Sequence, residues 1–403
     1  MRTIGAGTGA RADVLDPSTA AGLSELGLGP EPLPRLTAMV ADRTGCRRAR
    51  LLTVRLRSHP YDRPALTTAS RHLVSGSAVD DAGRTRDYAL FVKVVRSWRR
   101  SPLSAAVPEP LRSTLASLLP WRTEPDVYRG DLGRRLPPGL RLPRVHHVAD
   151  LDDESAAVWL EHVPVRRERW DLVRHRRAAR LLGRLAASPS VAPIAAAVPV
   201  GRTPRGYAEH WLDAVVVPEL TDGDLWRHPL VAETVDERLR RGVLGAAAAL
   251  PALVEELESR PRLTAHGDAC TDNLLLDARS EDVVLVDFGF WGTAPVGFDL
   301  GQLLVGEVQL GLRPAGQLAG LERVCLPAYV RGLRDEGCTI PLAEVARAHA
   351  VAMTVFHAVP AIPDALRSVG EGPELRARLR GLAATTRFVL GLLRATGGVP
   401  GMR

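Results

Sequence analysis

The segments His266-Gly267-Asp268, Asn273 and Asp287-Phe288-Gly289 place three oxygen-bearing side chains at spacings suited to moving a phosphoryl group. Asp268 opens a loop that ends at Asn273. An apolar run follows, Leu274 to Leu276, then a polar turn from Asp277 to Asp282. A second apolar run, Val283 to Val286, delivers Asp287. Two short strands joined by that turn return Asn273 and Asp287 to the same end of a hairpin. That end suits a magnesium ion, which takes hard oxygen ligands: a carboxylate, an amide oxygen and the phosphate oxygens of a nucleotide. Asp268 then sits just outside the metal shell, free to accept a proton from a substrate hydroxyl.

Of the 53 basic residues only Lys93 is a lysine. It lies in Tyr88-Ala89-Leu90-Phe91-Val92-Lys93-Val94-Val95, a run of β-branched and aromatic residues that predicts a strand. A lone lysine in an arginine background marks a site where a planar guanidinium does not serve. A compact ammonium reaching nucleotide phosphates from a strand is such a site.

The elements that must position these groups follow from the pattern along the chain. With 403 residues the chain is too long for one small core. Strands are predicted over 51–57, 67–80 and 88–95, with the turn at Asp81-Ala82-Gly83, and a further pair near 144–148 and 156–160. Helical spacing appears at 110–119 and 121–132. Glu161-His162-Val163-Pro164 reads as a hinge, beyond which the chain turns helical. Residues 192–205, rich in proline and glycine, read as a loop. The stripe Leu239, Val243, Ala247, Leu250, Val254, Leu257 predicts a helix that Pro251 kinks or splits. Four more helical patterns lie near 299–311, 319–336, 342–359 and 373–395. The division expected is a partly disordered extension over 1–45, a nucleotide-binding lobe over 46–160, a hinge over 161–165, a helical lobe over 166–396 and a frayed tail over 397–403. The chemistry is then drawn from both lobes.

Composition narrows the class of protein. Hydrophobic residues at 45% and charged residues at 25% are ordinary for a soluble globular chain. The net charge of +7 is spread along the sequence, without the basic stripe and interleaved aromatics of a nucleic-acid surface. Cys46, Cys270, Cys325 and Cys338 have neither zinc nor disulfide spacing and read as reduced thiols, with Cys270 as a small buried filler. No signal peptide is indicated, and no apolar run is read as spanning a membrane, the best candidate being Val243 to Leu257. A cytoplasmic enzyme with no nucleic-acid or membrane partner is the expectation.

The loop His266 to Asn273 and the segment Val286-Asp287-Phe288-Gly289 resemble the two motifs of the aminoglycoside phosphotransferase and choline kinase family, over roughly residues 46–395 in order. The resemblance implies an α+β, two-lobed protein kinase-like fold, with a small antiparallel-sheet N-lobe and a larger, mainly helical C-lobe. It implies Asp268 as the catalytic aspartate, Asn273 and Asp287 as magnesium ligands, and Lys93 at the α- and β-phosphates. Glu124 would pair with Lys93, with Glu109 as the alternative acid. Glu161, His162 and Val163 would hold the nucleotide base, the last two through their backbone. His266 would orient the loop and Asp299 would brace it, a plain helix cap being the other reading of Asp299. One departure stands out: Ser58 to Pro64 replaces the glycine-rich loop before the lysine strand, and its two prolines remove backbone donors.

The function implied is transfer of the γ-phosphoryl group of ATP, or GTP, with Mg2+, to a hydroxyl of a small molecule such as an antibiotic, sugar or amino alcohol. The alternative is a pseudokinase that binds nucleotide or partner without turnover. After residue 300 there are eight acids against twelve arginines, which tilts against a strongly cationic substrate. Trp159, Trp170, Trp211, Trp226 and Trp291 are candidates for a wall against a sugar ring or quaternary amine.

Overall fold

The computed structural model describes residues 15–59, 65–107, 109, 111–165, 170–198, 203–368 and 372–399. The chain forms two compact units, Met1–Ala106 with Pro143–Val163, and Val107–Leu142 with Pro164–Arg403. Most of the Ser58 to Pro64 connection, from residue 60, lies outside the described residues.

The smaller unit is built on an antiparallel five-stranded sheet. Its strands are β1 (Arg50–Ser58), β2 (Thr68–Val79), β3 (Thr85–Arg96), β5 (Val145–Asp152) and β6 (Ser155–Glu161), in the order β1-β2-β3-β6-β5. Strand alternation sends Tyr88, Leu90, Val92 and Val94 of β3 to one face, where they join Val74, Ala157 and Trp159. Two helices close over that face, Pro17–Leu23 and Pro32–Thr44. The first is started by Asp16, whose carboxylate accepts from the Thr19 N–H at 2.9 Å, with Pro17 in the first turn. Leu23, Leu28 and Leu36 are fully buried there, and the Trp159 indole donates to the Leu26 carbonyl at 2.8 Å. The described part of the 1–45 extension is therefore an ordered piece of the small unit. Its scattered leucines complete a sheet face, a long-range pairing that local composition does not reveal.

The larger unit holds the remaining strands, β4 (Leu140–Arg141), β7 (Arg262–Ala265), β8 (Leu274–Leu276), β9 (Val283–Leu285) and β10 (Gly292–Pro295). β4 pairs in parallel with β9, which is why residues 107–142 belong here and not with the small sheet as the sequence division had it. The helices Leu172–Ala187 and Leu318–Asp335 cross at two glycines. A Cβ on Gly183 would lie 2.1 Å from the Tyr329 carbonyl oxygen, and one on Gly332 would lie 2.0 Å from that of Arg180. Paired Arg180–Asp335 and Arg184–Glu336 contacts flank the crossing. The helix over 233–258 is two helices, Glu237–Ala248 and Leu250–Glu258, with Pro251 in the first turn of the second. The expected loop over 192–205 contains the short helix Ala192–Ala196 and the start of the helix Pro204–Tyr207. Both carry proline at a position where no intrahelical donor is needed.

Among the described residues one helical stretch, Leu342–Arg367, is long and apolar enough to cross a membrane by length and composition, with a mean hydropathy of 1.3. Most of it is buried in the core of the larger unit, where Val351, Val355 and Ile362 pack against Leu212, Leu250 and Leu379. Of the tryptophans considered as a wall, Trp159, Trp170 and Trp291 are buried, while Trp211 and Trp226 are half-buried against the core.

Candidate active site

The hairpin forms as its sequence pattern predicts. β8 and β9 pair antiparallel with Leu274 opposite Leu285. The register puts Asn273 beside Val286, whose N–H donates to the Asn273 carbonyl at 3.1 Å, and Asp287 follows directly. Asp287 has φ of 66°, the one positive φ among described residues other than glycine. Left-handed backbone at a residue with a Cβ costs about 1–2 kcal/mol, so the hairpin end holds this carboxylate in a conformation it would not adopt freely.

The loop itself starts where β7 ends. Gly267 has φ of 84°, and a Cβ there would sit 2.0 Å from the Phe290 carbonyl oxygen, so only glycine fits. His266 is wholly buried. Its Nε2 lies 3.0 Å from the Val286 carbonyl, which can only accept, so Nε2 carries the proton. Nδ1 then accepts from the Asp268 N–H at 3.4 Å. Burial pushes this imidazole below its ordinary value of 6.5, against the charges of Asp299 and Asp287, and it is neutral. His266 thus links the loop to the hairpin end.

Asp299 lies in the first turn of the helix Phe298–Gln309, which follows Gly297. Its two carboxylate oxygens accept from the N–H groups of His266 at 2.8 Å and Gly267 at 2.9 Å. Burial raises its pKa, opposed by His266 and by those two amides. The acid braces the loop and is more than a helix cap.

Both oxygens of the Asp268 carboxylate are held by side-chain amides. Asn273 Nδ2 donates to Oδ2 at 3.0 Å, and also to the Asp268 carbonyl at 2.9 Å. Gln302 Nε2 donates to Oδ1 at 2.9 Å. With its nitrogen committed to Asp268, Asn273 has its amide oxygen left for a cation. Among the described residues no group of three or more His, Cys, Asp or Glu side chains is arranged to hold a metal. The amide oxygen of Asn273 and the carboxylate of Asp287, brought to one hairpin end, are hard oxygen donors of the kind that magnesium–phosphate sites use.

Behind the hairpin end sits an aromatic stack. Phe288, fully buried, meets His266 at 5.0 Å, Tyr128 at 5.7 Å and Trp291 at 5.7 Å between ring centroids. Tyr128 belongs to the helix Thr123–Arg129. Its hydroxyl is pushed well above 10 by burial first, then by the charges of Glu124 and Asp287. Glu124 is 2% exposed in the first turn of that helix, where Pro125 is tolerated. The alternative acid, Glu109, is an exposed residue that accepts from the Ser113 N–H at 3.2 Å. Cys270 is a partly buried thiol whose pKa is pushed up to about 12 by burial and by Asp268 and Asp272, which disfavours the reactive thiolate. Gln302 and Tyr128 were not singled out from the sequence. The one trace in the sequence is spacing, each lying one helical turn from a residue already chosen, Asp299 and Glu124, and spacing alone assigns no role.

In the smaller unit Lys93 lies on the central strand β3, opposite Arg71 of β2 and Val158 of β6. It is 4% exposed and points away from the face that the two N-terminal helices cover. Glu161 ends β6, and its carboxylate accepts from the Arg144 N–H at 3.1 Å. His162 and Val163 follow outside any strand or helix, His162 exposed and Val163 buried.

No curated protein matches the chain. Solved structures that resemble it include an aminoglycoside phosphotransferase from Alicyclobacillus acidocaldarius, at 15% identity and TM-score 0.48, covering 86% of this chain and 94% of that one. A type I macrolide 2'-phosphotransferase is similar at 18% identity and TM-score 0.41, covering 87% and 95%. The amicoumacin kinase hAmiN in complex with AMP-PNP, Ca2+ and Ami is similar at 13% identity and TM-score 0.44, covering 88% and 93%. The family model of the APH phosphotransferases matches residues 129–332, just over half of the chain. That span contains the loop, the hairpin and the bracing Asp299, and the chain belongs to the phosphotransferase enzyme family.

Proposed function

We propose that this small-molecule kinase transfers the γ-phosphoryl group of ATP, or of GTP, to a hydroxyl of a small molecule, with Asp268 as the base. The observation that carries the reading is the hold on Asp268. Amides fix both of its oxygens, at 2.9 and 3.0 Å, beside a hairpin end that delivers Asn273 and Asp287 together. Asp268 orients the acceptor O–H toward the γ-phosphorus and takes its proton. The new acceptor O–P bond forms as the bond from the γ-phosphorus to the bridging oxygen breaks, and the nucleoside diphosphate leaves with that electron pair. Most of the gain in rate comes from positioning and charge stabilisation. Asn273 and Asp287 are the residues that would hold Mg2+, which neutralises phosphate charge when bound. Lys93 is assigned to the α- and β-phosphates, Glu124 to Lys93, and Glu161, His162 and Val163 to the base of the nucleotide.

The acceptor class is a hydroxylated antibiotic, sugar, amino alcohol or related metabolite, with the arginine excess after residue 300 favouring one without many positive charges. A panel of such compounds, screened for nucleoside diphosphate release with magnesium present, tests the reading. At least one alcohol should yield a phosphate monoester, and ADP should bind more tightly with magnesium than without. Equal ADP affinity in both conditions would remove the metal site, and product phosphate found only on nitrogen would remove the hydroxyl acceptor.

A further inference from the structure

The helix Phe298–Gln309 runs alongside the catalytic loop and meets it at three successive heights. Asp299 takes the N–H groups of His266 and Gly267. Gln302, three residues on, reaches the Asp268 carboxylate. Gly306, four further, faces Cys270, where an added Cβ would come within 2.9 Å of the Cys270 Cβ. Positions three and four apart share a helix face, so one rigid element tracks the loop residue by residue.

The middle contact does something the outer two do not. Asn273 donates to Oδ2 of Asp268. The Gln302 amide donates to the other oxygen, Oδ1, so a donor on each oxygen defines the plane of the carboxylate. Gln302 also carries an oddity: its Oε1 is buried and accepts no hydrogen bond from any described residue. Burying an acceptor without a partner is unfavourable, and an apolar side chain of similar size avoids it. A residue present only to fill space would not bring that atom.

We propose that Gln302 is a positioning residue that sets the plane of the Asp268 carboxylate, and with it the direction in which the acceptor hydroxyl is held. This rests on the reading of Asp268 as the base. Gln302 touches neither substrate nor metal in this role.

The test compares Gln302→Leu, Gln302→Glu and Asp268→Asn in the full chain. Turnover is read with magnesium-ATP, both with water as acceptor and with the best alcohol from the panel. ADP affinity and melting temperature are read alongside. Gln302→Leu should lower kcat by about tenfold to a hundredfold, the range for a misplaced catalytic group. ADP affinity and the KM for ATP should stay within about twofold, because nucleotide binding does not depend on the carboxylate's plane. Gln302→Glu, nearly the same shape, should be slower than Gln302→Leu, since it sets a second negative charge against Asp268. The double variant Asp268→Asn with Gln302→Leu should be no slower than Asp268→Asn alone. A Gln302→Glu enzyme near wild-type rate, a Gln302→Leu enzyme with unchanged kcat, or additive losses in the double variant would each overturn the proposal while leaving Asp268 in place. Unchanged turnover in Asp268→Asn would overturn the reading beneath it.

Discussion

At the scale of single residues the site is a set of carboxylates, each given one task by its neighbours. Asp299 is buried and spends both oxygens on backbone amides. Asp268 accepts from a side-chain amide on each of its oxygens. Asp287 is held in left-handed backbone at the hairpin end. Lys93 belongs at this scale too. It is buried on a central strand of the smaller unit, in a chain whose other basic residues are all arginine. If Lys93 contacts phosphates in a confined site, a larger planar head will not fit the same partners. Lys93→Arg should therefore lose most turnover while its melting temperature stays within a few degrees. An active Lys93→Arg enzyme would end the phosphate role. The residues that carry the family motif were legible in the sequence because their identity is their chemistry. Gln302 and Tyr128 were not, because amides and phenols are common, and their meaning comes only from what lies across the gap: Asp268 Oδ1 for one and Phe288 for the other.

At the scale of elements the hairpin and the Phe298–Gln309 helix were readable from apolar runs and periodicity, and both formed close to their expected bounds. The packing of the N-terminal helices onto the sheet and the transfer of residues 107–142 to the larger unit were not readable. Both depend on pairings across more than a hundred residues, such as Trp159 with Leu26 and Leu140 with Val283. The crossing of Leu172–Ala187 with Leu318–Asp335 gives a prediction at this scale. Gly183 faces the Tyr329 carbonyl and Gly332 faces that of Arg180, both too close for a methyl group. Alanine favours a helix over glycine by about 1 kcal/mol, so on propensity alone Gly183→Ala would stabilise. The backbone clash should win. Overpacking of this kind costs about 1–3 kcal/mol, so thermal unfolding should show a lower melting temperature for Gly183→Ala and for Gly332→Ala. A raised melting temperature in either would mean that the helices are not held this closely.

At the scale of the whole molecule the arginine excess is used in paired contacts. Arg347 grips Glu256 with two nitrogens at 2.8 and 2.6 Å, and Arg180 grips Asp335 at 2.7 and 3.1 Å. Stability should also depend on pH through buried and half-buried histidines in both units. His72 and His146 in the smaller unit, and His175 and His266 in the larger, are all pushed below 6.5 by burial. On acidification the unfolded chain takes up protons near pH 6.5, and the folded chain does so only at lower pH. Between those values the unfolded state binds more protons, so stability rises with pH and falls as pH drops through that window. Asp299 and Asp364, pushed up from 3.8 by burial, pull the other way, but they start from the carboxylate range. The melting temperature should therefore be lower at about pH 5.5 than at about pH 7.5. A flat or inverted profile would mean that these histidines are not held neutral.

The central claim is that Asp268 does its work on the acceptor and not on the nucleotide or the fold. The most direct measurement is turnover of Asp268→Asn with an identified alcohol acceptor, taken together with ADP affinity in magnesium and the melting temperature. Asparagine keeps the size of the side chain but cannot accept the proton, so turnover should fall by roughly 10²–10⁴-fold, with ADP affinity and melting temperature close to wild type. An Asp268→Asn enzyme that phosphorylates its acceptor at near wild-type rate would contradict the account.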